Sequence, residues 1–329
     1  MTSSLLSIRG LRTYVLSGEP PVKAVDGIDL DIKTGETVAL VGESGCGKTM
    51  LALSIGKLLP PHARIVAGQI LFQGKDIVSM KSQELRSIRG KKIGYVFQDP
   101  MSSLNPVMTI GQQIEEAIRL HGGLSGQAAR SKTIELLEQV QIPLPQERIH
   151  QYPHQLSGGM RQRAMIAMAI SGRPSLLVAD EPTTALDVTT QAEILALLKN
   201  LKVSFGMAVL LITHDLTAVA DAADRIAVMY AGRIVELSTR QQLYKKPVHP
   251  YTQALLACLP KVGQGRQTLQ AIPGTVPDLR FTPPGCPFHP RCPEAIPLCR
   301  EREPALKKLD GELSVSCWRR EPLQKGNQP

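Results

Sequence analysis

Gly42-Glu43-Ser44-Gly45-Cys46-Gly47-Lys48-Thr49 meets every specified position of a phosphate-binding loop. Its flanks supply the setting such a loop needs. Thr37-Val38-Ala39-Leu40-Val41 precedes it as a nearly continuous apolar run, the pattern of a strand buried on both faces of a sheet. An apolar helix is expected to follow it. Glycines let the backbone curl until successive N–H groups face an anion, Lys48 reaches the terminal phosphates, and Thr49 ligates Mg²⁺. All eight residues, Gly42, Glu43, Ser44, Gly45, Cys46, Gly47, Lys48 and Thr49, are candidate nucleotide contacts.

Three further apolar runs predict more buried strands: Ile93-Gly94-Tyr95-Val96-Phe97, Leu176-Leu177-Val178-Ala179 and Ala208-Val209-Leu210-Leu211-Ile212. Between the last two, Leu186 to Lys202 sets Ile194, Leu197, Leu198 and Leu201 on one helical face. Strands and helices therefore alternate as in a doubly wound α/β core. Ahead of the loop, Ser7-Ile8-Arg9-Gly10-Leu11 and Ile28-Asp29-Leu30-Asp31-Ile32 alternate in polarity, predicting a small antiparallel β subdomain. Residues from about 100 to 165 interrupt the alternation. Ile134, Leu137 and Val140 recur there at threes, predicting a helical insertion. Beyond 245 proline and cysteine become frequent and helical periodicity fades. The expected division is a nucleotide-binding domain over 1–245 and a small irregular cysteine-rich module over 246–329.

The composition sets limits. The chain has 329 residues, 43% hydrophobic and 20% charged, enough apolar side chain for a sizeable core. A formal charge of +9 suits nucleic acid, a membrane surface or phosphate ligands, but Lys and Arg are scattered among acids, and no nucleic-acid partner is expected. No segment offers the roughly 18 consecutive apolar residues that a membrane-spanning helix needs. Six cysteines are too few for a disulfide scaffold of this length, so clustered ones are read first as metal ligands.

Leu176-Leu177-Val178-Ala179-Asp180-Glu181 is an apolar strand ending in two carboxylates. Asp180 would serve the metal and Glu181 would orient and polarise the attacking water, because phosphoryl transfer depends mainly on positioning and charge stabilisation. Upstream, Leu156-Ser157-Gly158-Gly159-Met160-Arg161-Gln162-Arg163 closely resembles the signature sequence of ABC-type ATPases. The resemblance implies a RecA-like P-loop NTPase core of ABC type. Ser157, Gly158 and Gly159 would then contact ATP held by the opposite subunit of a dimer. It also implies roles for other positions: Gln98 as the Mg²⁺-sensing glutamine, Asp187 in Ala185-Leu186-Asp187 as the dimer-contact aspartate, His214 as the switch histidine, and Tyr14 as the aromatic that stacks on adenine. Glu181, His214 and Lys48 form the expected catalytic set; Thr49, Gln98 and Asp180 are the expected Mg²⁺ neighbours.

His249-Pro250-Tyr251-Thr252, followed by Gln253-Ala254-Leu255-Leu256, resembles the oligopeptide and dipeptide importer branch of that family. Cys286, Cys292, Cys299 and Cys317 lie at gaps of five, six and seventeen residues. Four thiolates suit zinc or a cubane [4Fe–4S] cluster; the spacing does not choose, and the resemblance implies the cluster. It further implies a paralogous ATPase partner, two transmembrane permease subunits, an extracytoplasmic substrate-binding protein and a place on the cytoplasmic face of the cell membrane. Peptide is the expected cargo, with nickel complexes or murein peptides as alternatives. A non-transport ABC ATPase acting on nucleic acid is the rival class, for which a long coiled-coil insertion or tandem cores would be expected.

Overall fold

The computed structural model describes residues 4–184, 186–259 and 272–320; Ala185, quoted above with the Asp187 motif, lies outside them. In chain order the strands are β1 (Ser4–Val15), β2 (Val22–Lys33), β3 (Thr37–Val41), β4 (Ala63–Phe72), β5 (Lys75–Asp76), β6 (Ile93–Val96), β7 (Leu176–Asp180), β8 (Ala208–Thr213), β9 (Arg225–Tyr230), β10 (Arg233–Thr239), β11 (Lys307–Asp310) and β12 (Leu313–Val315). They build an antiparallel sheet in the order β2-β1-β4-β5 and a mixed sheet in the order β11-β12-β10-β9-β3-β8-β7-β6. The second is parallel from β9 to β6 and antiparallel from β9 to β11.

Burial on both faces explains the apolar runs. In β3, Val38 and Leu40 join the core cluster shared with the antiparallel sheet, whereas Ala39 and Val41 join the cluster on the opposite face. β7 divides in the same way, Leu176 and Val178 against Leu177 and Ala179. No polar side chain fits either face of such a strand without a partner. Truncating fully buried Leu40 to Ala is expected to cost about 2–5 kcal/mol.

Helix Lys48–Ile55 follows β3 directly and buries Leu51, Ala52 and Ile55 beneath the antiparallel sheet. The opposite face is covered by helices Gly158–Ile170 and Val188–Phe205; the latter buries Ile194, Leu197, Leu198 and Leu201, the stripe read from the sequence. Between β6 and β7 the insertion is helical, with its longer members at Ile110–Gly122 and Gly126–Gln139. The first starts with a reciprocal cap: Thr109 Oγ1 accepts from the Gln112 N–H at 3.3 Å, and the Thr109 N–H donates to Gln112 Oε1 at 2.9 Å.

One expectation needs revision. β12, far beyond residue 245, pairs with β10, with Glu236 opposite Val315, so the expected 245/246 division cuts through one continuous sheet. The module is a rim of that sheet.

Candidate functional site

Parallel strands β3, β8 and β7 lie side by side and deliver three chemical groups to their C-terminal ends, where open α/β sheets bind ligands. β3 runs into the phosphate loop. β7 ends at Asp180, with Glu181 next. β8, lying between them, ends at Thr213 and carries His214 just past its tip.

The loop is set by close approaches. A Cβ on Gly47 (φ 106°) would lie 1.9 Å from the Ala24 carbonyl oxygen, and one on Gly42 would lie 2.2 Å from that of Met229. Only glycine fits at either position. Ser44, Gly45, Gly47, Lys48 and Thr49 line a cavity of about 290 Å³ together with Gln98, Glu181, Val15, Val22 and Leu279. Lys48 is buried, and its Nζ donates to the carbonyl oxygens of Gly42 at 2.8 Å and Glu43 at 3.0 Å. Cys46 is fully buried, and burial pushes its thiol above the usual range, so it packs rather than reacts.

Glu181 is the centre of a small network. Its Oε2 accepts from Gln98 Nε2 at 3.2 Å and from Thr184 Oγ1 at 2.7 Å, and lies 3.3 Å from His214 Nδ1. Three residues expected from separate motifs, Gln98, Glu181 and His214, thus meet on one carboxylate oxygen. Glu181 itself has φ 47°, a left-handed conformation that costs a residue with a Cβ about 1 kcal/mol. Its N–H, donating to Ile212 O at 2.9 Å, helps to hold that turn. Strain of this kind persists where surrounding structure over-determines it.

Asp180 is buried beside it. Burial first, and the Glu181 charge after it, raise the carboxyl above its ordinary range; a hydrogen bond from Thr49 and the Lys48 charge oppose the rise. Its Oδ1 is buried with no hydrogen-bond partner. An orphaned carboxylate oxygen beside the Thr49 hydroxyl fits a hard cation such as Mg²⁺, and Thr49, Asp180 and Gln98, which lines the same cavity as Thr49, are the residues that would hold it.

The signature lies elsewhere on the chain. Ser157 caps helix Gly158–Ile170, its Oγ accepting from the Met160 N–H at 3.3 Å. Ser157, Gly158, Gly159 and Asp187 line a separate cavity of about 470 Å³ that shares no lining residue with the phosphate cavity. Asp187 caps helix Val188–Phe205, and hydrogen bonds from Thr190 hold its carboxyl below the ordinary range. The two motifs thus line two different cavities of the chain.

Two expected contacts lie outside the phosphate cavity. Tyr14 does not line it, and its hydroxyl donates to Asp26 Oδ1 at 2.8 Å, the oxygen that Arg12 also approaches. Glu43 also points away from the cavity, its carboxylate bound by Arg291 and its N–H donating to Tyr251 Oη at 3.0 Å. Arg291, Tyr251 and Thr184 were missed as site residues. Only Tyr251 lay within a quoted stretch, and no spacing rule ties residue 291 or 251 to residue 43.

Cys299 and Cys317 are buried and Cys286 and Cys292 half-buried; none is in a disulfide. Burial, reinforced by the three neighbouring thiols, pushes Cys286 up to about 11, so the four sulfurs lie within electrostatic reach of one another. Among the described residues, however, no group of three or more His, Cys, Asp or Glu side chains is placed to hold a metal ion. The four-cysteine metal site expected from the sequence is not formed in this arrangement.

Comparison with known proteins agrees with this geometry. A family model described as ABC transporter matches residues 25–184, and one described as oligopeptide/dipeptide transporter, C-terminal region, matches 235–299. The chain is 49% identical to a probable peptide ABC transporter ATP-binding protein of Sinorhizobium fredii, over 96% of this chain and 95% of that one. It is 47% identical to a dipeptide transport ATP-binding protein of Escherichia coli, over 99% of each. Among solved structures, a dimeric ATP-binding cassette in a post-hydrolysis state with ADP and Pi superposes with a TM-score of 0.65 at 30% identity, covering 71% of this chain and 98% of that one.

Proposed function

This chain belongs to the ABC transporter family of ATP-binding subunits, and on that premise we propose that it drives import of dipeptides or oligopeptides from the cytoplasmic face of a membrane. The observation that carries the chemistry is the convergence of Gln98, Thr184 and His214 on the carboxylate of Glu181, at the mouth of the phosphate cavity. Support for the cargo comes from relatives named for dipeptide transport and from the C-terminal match at 235–299.

In this reading the loop N–H groups and Lys48 bind the β- and γ-phosphates of ATP, Lys48 exchanging the carbonyls of Gly42 and Glu43 for phosphate oxygens. When bound, Mg²⁺ neutralises charge on those oxygens. Glu181 orients a water for attack on the γ-phosphorus, and His214 and Gln98 fix its carboxylate. Ser157, Gly158, Gly159 and Asp187 complete the site of a second ATPase subunit, and the partner is a paralogue. Gln98, bonded to Glu181, would relay nucleotide state to a permease helix. The complete assembly adds two transmembrane permease subunits and an extracytoplasmic binding protein; no described helix is long and apolar enough to cross a membrane.

This reading keeps a metal centre for the four cysteines, a [4Fe–4S] cluster rather than zinc, although their side chains as placed do not form its ligand set. Its support is the gathering of four unpaired thiols in a segment with little core of its own, where a metal would supply ordering energy. Iron and sulfide in fourfold amounts in anaerobically prepared protein are expected; stoichiometric zinc without sulfide would replace the assignment, and neither would remove it. For the cargo, the test is to purify the assembled transporter and identify what its external binding protein retains. A peptide supports the reading; a nickel complex retained instead overturns it.

A further inference from the structure

The phosphate loop is held from behind by residues more than two hundred positions later in the chain. Arg291 grips the Glu43 carboxylate with both arms, Nη1 to Oε2 at 2.8 Å and Nη2 to Oε1 at 3.1 Å. Two further donors of the guanidinium are engaged: Nε donates to Pro273 O at 2.9 Å, and Nη1 also reaches Tyr230 Oη at 3.5 Å. The Arg291 side chain is only 4% exposed and that of Glu43 27%, so the pair is partly shielded from screening by water and salt. Tyr251 Oη takes the Glu43 N–H, and the Tyr251 ring packs at a tilt against Tyr230 and Phe288, at centroid distances of 4.7 and 5.3 Å. Side chain and N–H of one loop residue are thus both fixed by the C-terminal module and the wall it packs on.

That residue matters to the nucleotide. Its carbonyl accepts from Lys48 Nζ at 3.0 Å and from the Cys46 N–H at 3.3 Å, so turning the Glu43 peptide would displace both the lysine and the next bend of the loop. We propose that Arg291 is a positioning residue for nucleotide binding: through Glu43 it holds the phosphate loop in its binding shape, and the cysteine-bearing module is thereby coupled to the ATP site. Arg291 closes the short turn His289–Arg291 and is followed at once by Cys292, so any rearrangement of that cysteine moves the clamp. The coupling is reciprocal by thermodynamic necessity: what the module does to nucleotide affinity, nucleotide does to the module.

The inference rests on the reading of residues 42–49 as an ATP site, and the experiment separates the two. MgATP affinity would be titrated in the full-length chain for the unaltered protein, Arg291→Gln and Arg291→Lys, with KM and kcat in the assembled transporter and with melting temperature and iron content as controls. Arg291→Gln is expected to weaken MgATP binding at least tenfold, raising KM in step while kcat at saturation stays within twofold, the pattern of lost uniform binding. Arg291→Lys, keeping the charge but not the fork, is expected to lose less. MgATP affinity within twofold of the unaltered protein in Arg291→Gln overturns the proposal, whatever its melting temperature. Should that variant fail to fold, Arg291→Lys decides: a loss of threefold or more at unchanged iron content supports the clamp, and a smaller change overturns it. An unaltered protein that fails to bind MgATP overturns the reading of the site itself.

Discussion

The phosphate loop and the signature segment 157–159 both open a helix, yet they are finished to different degrees. The loop is enclosed: a Cβ at Gly47 would meet backbone at 1.9 Å, Lys48 is buried, and Glu43 is clamped from behind. The signature is more open: a Cβ on Gly158 would meet only the Leu186 side chain at 3.4 Å, ordinary contact, although one on Gly159 would come within 2.8 Å of Thr190 Cγ2, and Ser157 and Asp187 bond only within their own turns. Internal packing shapes the first, whereas the second faces open space, where the proposed function puts a partner subunit.

The contrast can be broken at several points. Glu181→Gln keeps the size and loses the carboxylate, and turnover in the assembled transporter should fall by about 10³-fold, within the range of a positioned acid or base. Nucleotide binding should survive; undiminished turnover would remove Glu181 from its role. Gly47→Ala forces a Cβ into the Ala24 carbonyl and should destabilise the isolated chain by about 3 kcal/mol, read as a lower denaturant midpoint. Gly158→Ala should shift that midpoint by less than about 0.5 kcal/mol while impairing ATP-dependent association. Equal effects from the two glycines would erase the distinction between closed and open halves. Asp187→Ala removes a helix cap worth about 1 kcal/mol, a loss that unfolding of the isolated chain should register.

A pH-dependent effect concerns Asp180. Its folded-state carboxyl titrates above the ordinary range, so the folded protein holds that proton more tightly than the unfolded chain, and stability declines as pH rises through the folded value. Without metal and nucleotide, Asp180→Asn should therefore raise the melting temperature by roughly 1–3 °C at neutral pH, and the gain should vanish as pH falls towards about 4. With Mg²⁺ and ATP present the sign should reverse. A gain independent of pH would mean that the carboxylate is not strained by its burial.

What the sequence could convey followed local physics. β3, β7 and β8 were legible because burial on both faces leaves nothing but apolar residues, and the loop after β3 was legible because its glycines have no substitutes. β9 and β10 passed unread, since Arg225 opens the first and Glu236 interrupts the second. Both charges are satisfied at a distance, Arg225 by Glu36 at 3.0 Å and Glu236 by the N–H groups of Val248 and His249, which no periodicity reveals. The hydrogen bond of Tyr14 to Asp26, on the neighbouring strand, was likewise not legible from spacing. The meeting of Glu43 with Arg291 spans 248 positions and depends entirely on how the rim folds back.

β12 begins 74 positions after β10 ends, yet it is the strand that covers the β10 edge. During synthesis, at about 5–20 residues per second, the nascent chain must carry that open row of N–H and C=O groups for several seconds before its own cover emerges from the ribosome. A stop codon anywhere in that interval would release a protein with an intact nucleotide motif and a bare strand ready to template another chain.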